Sequence, residues 1–255
     1  MEKKNIRDDI QFLRGFSVLL IFLFHLDQKI FQYFYVGVDI FFIISGFVIT
    51  SSIFNNIKFR NDFNFFYFLL KRIKRIFPNL IFFLIIFNIV YFLFLEINDS
   101  NFFEIIFSNI STILGISNFY YIINPNLGYF NDTIKWLNHT WSLSVELQFY
   151  VFYGIFIFFI FNLKKFFNNK KIIIYFLIFL STISLYFFLF GTGKYLSSYF
   201  FSLTRFWEFF LGTLIYLISF NKIKNFIKIN FIYFILNFLI FLIIVNFSPY
   251  NLNYK

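Results

Sequence analysis

Long apolar runs alternate with short polar breaks along this chain. Runs of spanning length occur at about Ile10–Ile30, Val36–Ile53, Asn79–Leu95, Leu143–Phe161, Ile172–Phe190, Phe206–Phe220 and Phe231–Phe247. A hydrocarbon core about 30 Å thick takes roughly 20 residues of α-helix, so each run predicts a membrane-spanning helix. The sixth run is short and can begin earlier, near Tyr199. Between the third and fourth runs, Ile105–Ile123 is moderately apolar but broken by Ser, Asn, Thr and Gly, which predicts an interfacial or re-entrant piece. No fixed-period repeat and no soluble domain interrupts the pattern. The predicted fold is an all-α, polytopic transmembrane helix bundle of about seven spans, one membrane domain over residues 1–255.

Composition agrees with this pattern. Hydrophobic residues make up 60% of the chain and charged residues 13%, against about a quarter charged in soluble domains. The 51 Phe residues, beside many Ile, Asn, Lys and Tyr, suit an AT-rich coding sequence, so single Phe residues carry no functional weight. The absence of Cys excludes disulfides, zinc–thiolate sites and a thiol nucleophile. The N-terminal MEKKNIRDD leads into an apolar run with no small-residue cleavage site, which reads as a retained first span.

The net charge of +10 does not imply nucleic acid, because the basic residues cluster between apolar runs, where membrane orientation accounts for them. Sixteen Lys and Arg residues fall on one side of the predicted spans and five on the other. By the positive-inside rule the N-terminus is cytoplasmic and odd-numbered spans run outward. The C-terminus, NFSPYNLNYK, then lies outside and carries no terminal domain, which reads either as a true end or as a membrane domain cut short.

This topology sorts the unusual polar residues. His25, Asp27, Asp39, His139, Glu146, Arg205 and Glu208 fall toward the outer side, and the basic loop Lys71–Arg75, before Pro78, toward the inner side. Ionisable groups at membrane depth are costly and usually mark a functional path. An inner cationic loop suits a phosphorylated cytoplasmic donor, held through Arg–phosphate contacts. An outer imidazole with carboxylates suits deprotonation of a hydroxyl or nucleophilic uptake of a group. Structural roles compete with each assignment. His25 can be a packing residue, Asp39 an N-cap, Arg205 and Glu208 an i, i+3 pair, and the basic loop an orientation signal alone. Gly37 and the Ser45-Gly46 pair can serve close helix packing. No Walker loop, G-x-G-x-x-G or H-E-x-x-H occurs, so nucleotide hydrolysis and zinc proteolysis have no support.

Four blocks carry a family resemblance: DDIQFLRGFSVLLIFLFH at Asp8–His25, YVGVDIFFIISGFVIT at Tyr35–Thr50, FLLKRIKRIFP at Phe68–Pro78 and HTWSLSVELQFY at His139–Tyr150. In order and spacing the chain resembles the integral-membrane acyltransferase-3 family, whose bacterial members O-acylate cell-surface polysaccharides. The later YFFSLTRFWEFFLGTLIYLI looks like the same stretch of members that carry an extra SGNH-type domain. The family's membrane unit typically has about ten spans, against seven runs here. Gln11 stands where many relatives have Asp, and Leu147 where many have a second Glu.

The resemblance implies an O-acyltransferase in the bacterial inner membrane that uses cytoplasmic acyl-CoA, most simply acetyl-CoA, and an extracytoplasmic glycan hydroxyl, with no metal. It implies His25 as the catalytic histidine, with Glu146 and Asp39 as acids of the same site. Arg14 is the motif partner of His25 and is grouped with the donor-binding pair Arg72 and Arg75. The implied partners are membrane lipid, acyl-CoA and the surface glycan. Two other classes remain open on residues alone: a transporter or flippase of a lipid-linked saccharide, and a non-catalytic scaffold in which the polar groups only pack.

Overall fold

The computed structural model describes residues 8–27, 30–60, 62–94, 99–124, 137–162, 170–190 and 199–219. Among these the chain forms eight α-helices and one short 3-10 helix, with no strand. The helices are α1 (Asp8–Leu26), α2 (Val36–Arg60), α3 (Phe65–Phe94), α4 (Asp99–Ile113), α5 (Ser117–Ile123), α6 (Thr140–Asn162), α7 (Lys170–Phe190) and α8 (Ser202–Ser219), and the 3-10 turn is Gln32–Tyr35. Five stretches are long and apolar enough to cross a membrane: Asp8–Leu26, Gln32–Ile57, Phe65–Leu93, Thr140–Phe161 and Lys171–Phe190. They correspond to the first five predicted runs. The sixth run is α8, which carries Arg205 and Glu208, and it starts early, as its shortness suggested. The seventh run, Phe231–Phe247, lies outside the described residues, as do most of the loop lysines that set the predicted orientation.

One expectation changes. The basic run Lys71–Arg75 is not a loop; it lies inside α3, which begins at Phe65 and carries Pro78 in its interior. Lys and Arg are good helix formers, and Phe68, Ile73 and Ile76 continue the apolar pattern backward from the predicted span. The real break is at Asp62–Asn64, where the Asn64 side-chain oxygen accepts the Tyr67 N–H at 2.9 Å and caps the helix. At about 45 Å, a helix of this length exceeds the hydrocarbon core, so one end reaches beyond it. The segment expected to be interfacial or re-entrant becomes α4 and α5, neither of spanning length. Gly115 separates them at φ 68°, a left-handed turn that glycine adopts without a Cβ clash.

The chain divides into two compact units, residues 1–52 with 208–255, and residues 53–207. In the first unit α1 runs against the start of α2. A Cβ on Gly37 would lie 2.6 Å from the Ser17 carbonyl oxygen, so the bare glycine allows this approach. The residues of α2 and α8 in this unit meet even more closely. A Cβ on Gly46 would fall 2.1 Å from the Phe209 carbonyl oxygen, and one on Gly212 1.9 Å from that of Ile43. Phe42 stacks on Phe209 at 4.6 Å, and the Thr50 and Thr213 hydroxyls meet at 3.1 Å. Small residues flanked by larger packing groups let two backbones meet where lipid supplies no hydrophobic drive to pair helices.

In the second unit α3 and α6 pack antiparallel. The rings of Phe65 and Phe68 close on Gly154, Phe83 meets His139 edge-on at 5.3 Å, and Leu80, Leu84 and Leu137 form a small core. A reciprocal amide pair, Asn88 with Asn109 at 3.0 and 3.3 Å, joins α3 to α4. On α7, the Ser184 hydroxyl donates to the Leu203 carbonyl at 2.5 Å and accepts the Trp207 N–H at 2.9 Å, which ties α7 to the first turns of α8.

The glycine contacts make a direct prediction. Gly46→Val and Gly212→Val force backbone apart and should each destabilise the protein by about 2 kcal/mol or more, read as a lower melting temperature in detergent. Gly15, with open space where a Cβ would sit, is the control: Gly15→Ala should hold or raise that temperature.

Candidate active site

The six residues singled out from the sequence divide three and three. Arg14, His25 and Asp39 belong to the first unit, and Arg72, Arg75 and Glu146 to the second. In the first, Asp8 and Asp9 in the first turn of α1 complement its dipole, and His25 sits in the last turn. Asp27 then turns the chain: its carboxylate accepts the Ile30 N–H at 3.1 Å. His25 is exposed, with its ring edge-on to Phe24 at 5.5 Å. Arg14 lies three helical turns before it on nearly the same stripe, about 16 Å away along the axis. The Arg14 guanidinium lies 5.9 Å from the centre of the Phe41 ring on α2. Asp39 is buried in the first turn of α2. With Gly37 against Ser17 and Phe41 against Arg14, Asp39 lies level with the Arg14–Ser17 turn and far along the axis from His25, on the side of α2 turned away from α1.

The second unit brings its residues closer together. Arg72 is 6% exposed and Glu146 2%. The Arg72 guanidinium lies over two rings, Phe68 at 5.6 Å and Tyr150 at 5.7 Å. Tyr150, one turn after Glu146 on α6, donates its phenol hydrogen to the Glu146 carboxylate in a short hydrogen bond. Arg75 is exposed, and its charge, like that of Arg72, reaches the Tyr150 phenol. The expected separation of an inner basic loop from an outer Glu146 is therefore corrected for this pair. Because α3 starts early and runs antiparallel to α6, Arg72 falls level with Tyr150 in the middle of α6. A buried guanidinium and a buried carboxylate need such compensation, because each alone in a low dielectric is costly.

The opposite stripe of α6 carries only neutral polar groups. Thr140, Ser144 and Gln148 recur at four-residue spacing and face α4 and α5. The hydroxyls of Thr112, Thr140, Ser117 and Ser144 form a chain with steps of 2.9, 3.2 and 2.8 Å. The Gln148 amide donates to the Gly115 carbonyl at 2.7 Å and to Asn118 at 2.8 Å, and accepts a short hydrogen bond from Ser202. Asn118 donates to Ser202 and to the Phe200 carbonyl, at 2.9 and 3.1 Å. Gln148 and Asn118 thus satisfy carbonyls at two helix breaks, one after α4 and one before α8. At the edge of the network, burial pushes the Tyr121 phenol up to about 12, against the opposing hydrogen bonds from Ser108 and Thr140. It therefore stays a neutral hydroxyl at working pH.

The acyltransferase-3 family model, described as an acyltransferase domain, matches residues 7–255. The chain belongs to the acyltransferase-3 family. It is also similar to O-acetyltransferase OatA of Staphylococcus aureus (strain NCTC 8325 / PS 47), 32% identical over 157 residues, which is 60% of this chain and 25% of that protein. A second relative is the putative O-acetyltransferase SACOL0978 of S. aureus (strain COL), 31% identical over 144 residues, 56% of this chain and 23% of the relative. The matched stretch is thus about a quarter of the length of these curated relatives. No solved structure matches significantly.

Within this acyltransferase-3 domain two features stand outside the six candidate residues. Gln148 and its network had a legible signal, the four-residue spacing Thr140, Ser144, Gln148 in an apolar run. Arg205, 1% exposed, is ringed by Tyr199 at 4.9 Å, Phe188 at 5.3 Å and Trp141 at 5.8 Å. The sequence offered only its spacing from Glu208, since two of these three rings come from other helices. Among the described residues no group of three or more His, Asp or Glu side chains is placed to hold a metal ion.

The Gln148 hub yields a second prediction. Gln148→Leu strips partners from the Gly115 carbonyl, Asn118 and Ser202, at about 1–3 kcal/mol for each buried group left unpaired. The variant should melt lower in detergent and show faster proteolysis near Gly115, whereas Thr182→Ala, which loses only an exposed bond to its own helix, should change neither.

Proposed function

We propose that this acyltransferase-3 protein moves an acyl group, most simply acetyl, from cytoplasmic acetyl-CoA to a hydroxyl of a glycan beyond the membrane. The carrying observation is the buried Arg72–Tyr150–Glu146 cluster with Arg75 exposed beside it, inside a helical membrane domain of an acyltransferase family. A buried charge cluster in a membrane protein is expensive, and its usual return is function. The names of the relatives support O-acetyl transfer, and the predicted orientation supports a bacterial cytoplasmic membrane with the donor inside.

In this reading the arginine pair receives the anionic donor, and His25 handles the group in transit. Either the imidazole attacks the thioester carbonyl and carries the acyl group to the acceptor oxygen, or it removes the acceptor proton as that oxygen attacks. In both routes the C–S bond breaks, an O-acyl bond forms, and CoA leaves as the thiol with the acceptor's proton. Arg14, over the Phe41 ring, helps hold the α1–α2 face from which His25 projects, and Asp39 supplies a buried carboxylate on α2. The chemistry calls for no metal.

His25→Ala should abolish glycan acetylation, measured by mass spectrometry of surface polysaccharide, while membrane insertion and melting temperature stay as in the parent. Unchanged acetylation would refute the assignment. Uptake of an intact lipid-linked saccharide without consumption of acetyl-CoA would establish transport instead.

A further inference from the structure

The two arginines of the Arg72-x-x-Arg75 pair are not equivalent in space. We propose that they divide the work: Arg75 meets the anionic donor, and Arg72 is a positioning residue that, with Tyr150, fixes the Glu146 carboxylate. This rests on the acyl-CoA reading above and gives its basic pair separate roles.

Three observations carry it. The Arg72 side chain is buried, and its guanidinium lies close to two rings, Phe68 and Tyr150. At 6% exposure that fork offers a phosphate little open surface. Tyr150, itself 2% exposed, gives its hydroxyl hydrogen to Glu146, so a single side chain touches the guanidinium with its ring and the carboxylate with its oxygen. Arg75, one turn further along α3, is exposed and still close enough for its charge to act on the same phenol. An open, planar guanidinium is suited to bidentate contact with a phosphate. The donor would therefore meet Arg75 first, and the Arg72–Tyr150–Glu146 unit would be set beside the thioester without holding the nucleotide part.

The same geometry says how the variants differ. Tyr150→Phe keeps the ring under Arg72 and removes only the hydrogen bond to Glu146. Arg72→Lys keeps the charge and loses the flat group that lies against two rings. Arg75→Gln removes the exposed charge alone.

The test is steady-state acetyl transfer in membranes carrying the whole protein, with acetyl-CoA varied at two ionic strengths, beside equilibrium binding of CoA alone. Arg75→Gln should raise the KM for acetyl-CoA and the Kd for CoA about tenfold, the size of one lost charge-assisted contact, and high salt should shrink the difference. Tyr150→Phe and Arg72→Lys should lower kcat by about tenfold or more with KM and the CoA Kd within about twofold. Melting temperatures in detergent identify any variant that has failed to fold, and Tyr150→Phe, the mildest change, then decides. Equal KM increases for Arg72→Lys and Arg75→Gln, with Tyr150→Phe at parental kcat, would overturn the division. CoA binding that is intact and sensitive to Arg75, in membranes without acetyl transfer, would overturn the acyltransferase reading while leaving the Arg75 contact standing. Absence of CoA binding in the parent protein would overturn both.

Discussion

Inside hydrocarbon a polar group has no water to turn to, and this single constraint organises the second unit of the protein. Helix α6 shows how it is met. Side chains four apart share a stripe, and stripes two residues apart face nearly opposite ways. Glu146 and Tyr150 take one side and find Arg72 on α3. Thr140, Ser144 and Gln148 take the other and satisfy the breaks around Gly115 and before α8. One block of eleven residues, Thr140–Tyr150, thus anchors a charged cluster and a neutral network at once. The neutral network fixes the rotation of α6, and that rotation is what keeps Glu146 turned toward Arg72.

The first unit meets a different need by different means. Lipid gives helices no hydrophobic reason to pair, so contact has to come from shape. Gly46 and Gly212 bring the backbones of α2 and α8 into direct contact, and the Phe42–Phe209 stack and the Thr50–Thr213 contact fill the flanks. In the second unit the aromatic-rich composition takes up part of this role. The buried Arg205 is held among Tyr199, Phe188 and Trp141, where the negative faces of the rings compensate a cation in a low dielectric.

Much of this was legible in the residues, and the limits have physical causes. Hydrophobic run length located the first five spanning helices and α8, because spanning length is imposed by the bilayer. The close-packing role of Gly46 was legible too, since a glycine inside a spanning run has few other uses. Its partner Gly212 was not, because helix pairing joins residues far apart in sequence. The start of α3 is hidden in the sequence because a run of charge resembles a loop, whereas lysine and arginine continue a helix readily. The same resemblance hides the approach of Arg72 to the Glu146 side of α6. The motif blocks singled out the residues of the candidate site, yet a motif carries no register, so the difference between buried Arg72 and exposed Arg75 appears only when α3 is laid against α6.

The acyltransferase-3 family, a helical membrane domain and a buried charge cluster underlie the proposal that an acyl group passes from one side of the membrane to the other. The sidedness of transfer tests this most directly. Sealed inside-out vesicles containing the protein and its glycan should receive acetyl-CoA, labelled in the acetyl group, from the bulk solution. Because acetyl-CoA does not cross lipid unaided, the account predicts label on glycan enclosed in the lumen. Label that appears only when donor and glycan share the same face would contradict it.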